Sequence, residues 1–367
     1  MKEFPKIAIV YLLYYHNESY IDDAVSALKK LTYPKERVEF IVVSNPHKEQ
    51  GSFVPYVEET VMPLSGKEIP HVTILAQKEN KGFAGGNNEG AAWAIDHGFE
   101  YVFFHNNDGF FATNALEPLI DAMEADKTIG AAQSLMLLHP ETDLINSTGN
   151  SFQYLGFGYC NAYRHKVSDT PLEKVQEIGY ASGAALMMRV DLMKEYGMWD
   201  HDFFLYHEDL EWSFRLRIAG YKIVLVSDSV FYHKYQFARS ITKFYWMERN
   251  RYGVMLMFFR WPTLLLLLPL ALVVEIGLWF FALQGGWLKE RVKVYAYWLK
   301  KEHWKLWLGK RKRTQNIRKR SDRYMLTRAA TGIYFQDKMT DNPLVNYLAN
   351  PVMKVYYWLI VKVFIWW

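Results

Sequence analysis

Residues Val72–Asp108 read VTILAQKENKGFAGGNNEGAAWAIDHGFEYVFFHNND. An apolar run of strand length (Val72–Ala76) enters a glycine-rich turn, a helical stretch comes next over Ala84–His97, and a second apolar strand (Tyr101–Phe104) ends in amides and a carboxylate. Nearly all-apolar strands separated by a helix imply a parallel sheet covered on both faces. The same alternation extends outward. Ile7–Leu13 and Val38–Val43 read as strands, and Ser19–Leu31 as a helix with Ile21, Ala24, Val25 and Leu28 on one face. Asn114–Ala125 reads as a further helix, and Lys222–Val226 and Ser229–Tyr232 as late strands. The expected class is therefore α/β, a mostly parallel sheet with helices on both faces. Ligands of such sheets bind beyond the carboxyl ends of the strands, so the residues just after each strand matter most.

Composition narrows the function classes. The chain has 367 residues, 50% of them hydrophobic, and one cysteine. That is ample for a sizeable core, and it excludes a wholly disordered chain, a disulfide framework and a Cys-based zinc site. The opening residues lack the apolar core of a secretory signal, so a cytoplasmic setting is expected for the front half. The formal net charge of +4 hides an asymmetry: Lys289–Arg328 holds 15 Lys/Arg against 3 Asp/Glu, and the remainder 28 against 36. Ten of the 13 tryptophans lie from Trp246 onward. Basic charge interleaved with aromatics suits nucleic acid or an anionic membrane surface. The adjoining apolar run favours membrane, and no nucleic-acid partner is expected.

Three segments carry chemistry, each with a plainer reading beside it. Glu79–Gly90 (ENKGFAGGNNEG) comes after a strand and opens a helix, where glycines admit a ligand to backbone amides and a helix N-terminus favours an anion such as a diphosphate. It could equally be a tight strand–helix turn. Asp108, ending the Tyr101–Phe104 strand segment as His105-Asn106-Asn107-Asp108, suits an oxygen-liganded cation such as Mg²⁺ or Mn²⁺, or merely an Asx turn or cap. In Trp199–Arg217 (WDHDFFLYHEDLEWSFRLR), Glu208 and Asp209 fall in a first helical turn, as a general base or as ordinary helix-dipole chemistry. His233, after the last strand, is either structural or a ligand.

The order of these motifs from about Lys6 to Arg251 resembles the family 2 glycosyltransferases with the GT-A fold, and among them the rhamnosyltransferase-like branch. The resemblance is carried by Glu79–Gly90, His105–Asp108 (HNND), Ser182–Arg189 (SGAALMMR), Phe203–Lys222, His233 and Glu248–Arg251 (ERNR). It implies a nucleotide-sugar-binding, Rossmann-like sheet and an inverting sugar transfer. Asp108 and His233 would hold a divalent metal (Mg or Mn), with Asn106 beside them. Asn45, Asn80, Gly82, Gly85 and Asn106 would line the donor site. Asp209 would be the catalytic base, paired with Glu208. Arg215 would bind the donor or position the acceptor or the base, and Trp212 would lie on the acceptor side or position the base. Two positions depart from the pattern: Ser44-Asn45-Pro46 stands where many relatives have an Asp-Asn pair contacting the nucleobase, and Glu211 replaces a common Asp.

The back third points to a membrane surface. Thr263–Leu283 has 21 residues with Glu275 as its only charge, long enough to span roughly 30 Å. Basic residues flank it on both sides, so a monotopic or re-entrant arrangement at the cytoplasmic face of the cell membrane is preferred to a single crossing. Tyr295–Leu308 reads as one interfacial amphipathic helix and Val352–Trp367 as a second anchor. The expected division is a catalytic domain over residues 1–251 and a membrane-associated helical region over 252–367. With the resemblance, this implies a nucleotide-sugar donor and a polyprenyl-diphosphate-linked glycan acceptor in cell-surface polysaccharide synthesis. The alternatives are a catalytically silent scaffold of a glycan-assembly complex and a processive polysaccharide synthase. The latter usually carries several spanning helices and a Gln-x-x-Arg-Trp motif, and neither is found here.

Overall fold

The computed structural model describes residues 4–14, 18–235, 243–334 and 342–367. In chain order its strands are β1 Ile7–Leu13, β2 Val38–Ser44, β3 His71–Ala76, β4 Tyr101–Asn106, β5 Gly109–Phe111, β6 Ile129–Leu138, β7 Ile145–Ser147, β8 Asn150–Phe152, β9 Gly158–Cys160, β10 Val175–Glu177, β11 Ala185–Arg189 and β12 Lys222–His233. The helices of the first half are α1 Glu18–Lys29, α2 Val54–Thr60, α3 Gly82–Asp96, α4 Leu116–Ala125, α5 Val190–Tyr196 and α6 Glu208–Ala219. Those of the second half are α7 Lys243–Phe258, α8 Trp261–Gly285, α9 Leu288–Trp298, α10 Lys301–Asn316, α11 Asp322–Leu326 and α12 Asn350–Tyr357.

The residues group into two compact units that are not continuous in sequence. One comprises Met1–Asn150, Cys160–Phe204 and Lys222–Tyr235; the other comprises Ser151–Tyr159, Leu205–Tyr221 and Gln236–Trp367. The helix carrying Glu208 and Asp209 thus groups with the C-terminal helices.

The first unit is built on one large sheet, ordered β10-β12-β6-β11-β4-β1-β2-β3, with β5 paired to β12 and β7 to β6. Strands β3, β2, β1 and β4 run parallel, β11 is antiparallel to both its neighbours, and β12 is parallel to β6. Every residue of β1 and β2 is buried, as a sheet covered on both faces requires. The two late strands expected over 222–226 and 229–232 are one strand, β12, with an irregularity between Val226 and Val230. The chain goes from β1 to β2 and β3 on one side and to β4 on the other, so the switch point lies at β1/β4. Asn45 and Asp108 both sit just beyond strand ends near it.

In the second unit, α7, α8 and α9 are tied by a buried ion network. Arg251 bridges Glu248 (2.9 Å) and Glu275 (2.7 Å), and Arg291 bridges Glu248 (2.8 Å) and Glu275. The Tyr295 hydroxyl also donates to Glu275 (2.6 Å). The lone charge of the apolar helix is therefore neutralised by two arginines of neighbouring helices, as a buried carboxylate demands. The single helix expected over Tyr295–Leu308 is two, because the chain breaks at Leu299–Lys300. Trp307, on α10, is buried against α7: a Cβ at Gly253 would lie 2.2 Å from its ring. Part of the segment expected to lie in an interface is thus packing inside the unit.

Candidate active site

The first unit carries the donor-side candidates. Strand β4 ends at Asn106, and β5 turns back to pair antiparallel with β12, setting Gly109 opposite His233. Gly109 allows this approach, since a Cβ there would stand 2.2 Å from the Phe231 ring and 2.7 Å from the Tyr232 carbonyl. The result is that His233 Nε2 lies 2.9 Å from Asp108 Oδ1. Asn106 Nδ2 donates to Asp108 Oδ1 (2.6 Å) and sits 3.4 Å from His233 Nε2. On the other side of the ring, His233 Nδ1 is 2.9 Å from Oδ1 of buried Asn146 on β7. A proton on Nδ1 satisfies that contact and leaves Nε2, the nitrogen facing Asp108, with its lone pair.

Among the described residues no cluster of three or more His, Cys, Asp or Glu side chains could hold a metal ion. The pair at hand nonetheless fits one. Adjacent ligands of an octahedral Mg²⁺-type cation, with bonds of about 2.1 Å, stand about 3 Å apart, and such ions take one or two protein groups plus phosphates and water. A carboxylate oxygen and an imidazole nitrogen 2.9 Å apart match that spacing. Nothing local in the sequence marks Asn146, because its place beside His233 depends on β7 pairing with β6.

The glycine-rich segment behaves differently from the anion-binding reading. Gly82 has φ +72°, and its amide donates to Asn80 Oδ1 (2.9 Å). The next two amides, of Phe83 and Ala84, both donate to the Phe204 carbonyl (2.7 and 3.4 Å). The first turn of α3 thus has protein acceptors for its free donors, so no diphosphate is needed to satisfy them. Gly86 and Gly90 let α3 lie against β1, since added Cβ atoms would meet Leu12 at 2.5 Å and Val10 at 2.6 Å. Gly85 is buried within the helix. In the structure Gly82 and Gly85, expected to line the donor site, shape the turn and the start of the helix. The asparagines remain well placed. Asn45 Nδ2 donates to Asn80 Oδ1 (3.2 Å) and to the Gly82 carbonyl (3.1 Å). Its buried Oδ1 has no hydrogen-bond partner among the described residues. Such an acceptor just past β2 is poised for a donor on a ligand.

The second unit carries the acid–base candidates on α6. His207, in the left-handed region (φ 67°), is the N-cap, and the helix begins with Glu208 and Asp209. Glu208 is buried, and burial together with the adjacent Asp209 pushes its carboxyl well above the usual range. Asp209 is half-buried, and its Oδ1 accepts from the Leu210 amide (2.7 Å). Of the two neighbouring carboxyls, Asp209 is the one within reach of solvent. Arg215 pairs with Glu211 one helical turn earlier, Nε donating to Oε1 at 3.0 Å and Nη2 to Oε2. Trp212 is 0% exposed, so its ring packs the interior and presents no surface to an acceptor.

The family model for glycosyl transferase family 2 matches residues 10–197. The chain belongs to glycosyl transferase family 2. Its fold is shared with the crystal structure of GalNAc-T7 with UDP, GalNAc and Mn²⁺, at a TM-score of 0.55 and 14% identity over 70% of this chain and 48% of that one. This family member thus spans about half the length of that relative. Mannosyltransferase PcManGT from Pyrobaculum calidifontis, in complex with GDP-Man and Mn²⁺, aligns at a TM-score of 0.49 and 13% identity over 85% of this chain and 86% of that one. No curated protein sequence matches this chain.

Proposed function

We propose that this chain is an inverting, metal-dependent glycosyltransferase that moves a sugar from a nucleotide-sugar donor to a lipid-linked glycan at a membrane surface. The observation that carries the reading is the juxtaposed Asp108 carboxylate and His233 imidazole at the end of β4, beside the switch point of the sheet. A Mg²⁺ or Mn²⁺ bound there would offset the charge on a departing nucleoside diphosphate. Asp108 and His233 would hold that cation, with Asn146 orienting the imidazole and Asn106 steadying the carboxylate. Asn45 offers its Oδ1 to a donor group of the nucleotide. Asp209 takes the proton of the acceptor hydroxyl as that oxygen attacks the anomeric carbon, while Glu208 stays the less charged neighbour. Direct displacement inverts the anomeric centre. The resemblance to the rhamnosyltransferase-like branch is the ground for naming a deoxysugar donor such as dTDP-rhamnose, and the GalNAc-T7 relative, whose structure holds UDP and Mn²⁺, supports the donor class and the metal.

The membrane part of the reading rests on the second unit. Helix α8 is, among the described residues, the one long and apolar enough to cross a bilayer. Its exposed residues Leu265, Leu268, Leu272, Ile276 and Leu283 form one stripe, with Ile276 73% exposed. Leu348, Val352, Val355, Leu359 and Val363 form a second stripe from residue 348 to 363. The Tyr356 hydroxyl donates to the Leu266 carbonyl (2.6 Å), which sets these segments side by side. Continuous apolar surface of this extent marks a membrane or partner site. Glu275, midway along α8, is locked to Arg251 and Arg291, so a crossing would carry α7 and α9 charges to bilayer depth. This supports a monotopic helix lying in the interface, with the catalytic residues in 1–251 and the anchoring helices in 252–367. The proposed function is tested by titrating UDP-, GDP- and dTDP-sugars into the protein with Mn²⁺ in a calorimeter. One donor binds, and EDTA or Asp108→Asn weakens it at least tenfold; equal affinity in all three conditions contradicts the metal-centred reading.

A further inference from the structure

Directly before α6, Tyr206 and His207 adopt left-handed backbone conformations (φ 66° and 67°) although neither is glycine. Each such residue is disfavoured by roughly 1–2 kcal/mol and persists only where its surroundings over-determine it. A side chain of α7 is prominent in those surroundings. Asn250, 0% exposed, uses its amide group to donate to both the Leu205 carbonyl (3.1 Å) and the Tyr206 carbonyl (2.7 Å). Its own Oδ1 accepts from Arg249 Nε (2.9 Å) and Nη2 (2.6 Å). That fixes which end of the amide faces the turn. The Arg249 guanidinium is in turn held over the Trp246 ring at 4.4 Å. His207 is anchored separately, Nε2 lying 3.2 Å from the Gly156 carbonyl.

We propose that Asn250 is a positioning residue for the reaction: it clamps the strained turn that places Asp209, and Arg249 orients the clamp. The inference rests on Asp209 being the catalytic base. The turn leads into Asp209 through only His207 and Glu208, so any relaxation at Leu205–Tyr206 is transmitted to the first turn of α6. A general base displaced by about 1 Å loses on the order of a hundredfold in rate. The motif Glu248–Arg251 then divides its work, with Glu248 and Arg251 in the buried ion network and Arg249 and Asn250 on the turn.

The test replaces Asn250 by Asp, an isostere that can still face Arg249 but cannot donate to the two carbonyls. The kcat falls about a hundredfold, while calorimetric donor affinity and stoichiometry match the wild type, which shows that the folded fraction is unchanged. In an Asp209→Asn background the same replacement produces no further loss of the residual turnover, because it acts through Asp209. A multiplicative loss in that background, or wild-type kcat in the single variant, overturns the clamp. If Asn250→Asp does not fold, Arg249→Lys, which keeps the charge but not the two bonds to Oδ1, loses about tenfold in kcat at unchanged donor affinity; an unchanged kcat overturns the clamp equally. Full turnover in Asp209→Asn alone contradicts the base assignment instead, so the two failures are distinguishable.

Discussion

Asp108 and His233 lie 125 residues apart in sequence and 2.9 Å apart in space. Each stands out because it comes after an apolar strand, the position where an α/β sheet exposes its ligand-facing groups. Asn146 carries no such signal, since nothing local distinguishes a buried amide that orients an imidazole from one in a turn. Trp212 and Arg215 show the reverse problem: residue type suggests contact with substrate, but helical periodicity turns Trp212 inward and sets Arg215 four residues from Glu211. Burial also makes His207 a stability switch, because its pKa is lowered to about 4 by desolvation. A folded pKa below the unfolded value of about 6.5 means the native state binds fewer protons between those limits. Stability is therefore fully present above pH 6.5 and falls as the pH drops toward 4, by about 3 kcal/mol for this group. Urea unfolding at pH 4.5 and pH 7 checks this: His207→Asn, which tolerates the left-handed backbone, loses less stability on acidification than the wild type. An identical acid loss in both proteins refutes the assignment.

At the scale of elements, the strands were legible because a sheet covered on both faces demands uninterrupted apolar runs, and β1 spans the same Ile7–Leu13 that reads as apolar. Glycine was harder to read. The pattern in α3 looks like a ligand loop, yet Gly86 and Gly90 serve the close approach of helix to strand, a need visible only once β1 is in place. The basic stretch was likewise only half legible. Arg311 Nη1 donates to the Leu256 and Phe259 carbonyls, and Gln315 Nε2 to the Met257 carbonyl (2.8 Å). Arg318 reaches the Phe258 carbonyl. Cationic and amide groups thus cap the C-terminal end of α7, where carbonyls are left without helical partners and the dipole favours positive charge. Other residues of the stretch, Lys300, Lys301 and Lys305 among them, are exposed and available to anionic lipid. The exposed stripes of α8 and α12 predict that the protein floats with vesicles containing phosphatidylglycerol in a density gradient. Ile276→Glu combined with Val355→Glu, both on the exposed faces, abolishes flotation; wild-type protein remaining at the bottom of the gradient contradicts the membrane reading.

For the whole molecule, the separation into an acidic front and a basic, tryptophan-rich back was visible in composition, but the grouping of residues was not. Segments 151–159 and 205–221 belong with the C-terminal helices although they interrupt the sheet-forming sequence. No local pattern marks them, because membership is decided by long-range packing such as Phe152 against Phe214 at 4.4 Å. The proposed donor-side groups therefore reside in one unit and the proposed base in the other, so a binding measurement and a turnover measurement test different parts of the proposal. The most direct test is nucleotide release from detergent-solubilised protein with Mn²⁺, its bound donor sugar and a polyprenyl-diphosphate-linked acceptor. The account predicts acceptor-dependent release that Asp209→Asn slows by about a thousandfold while still binding the donor; release at the wild-type rate from Asp209→Asn would contradict it.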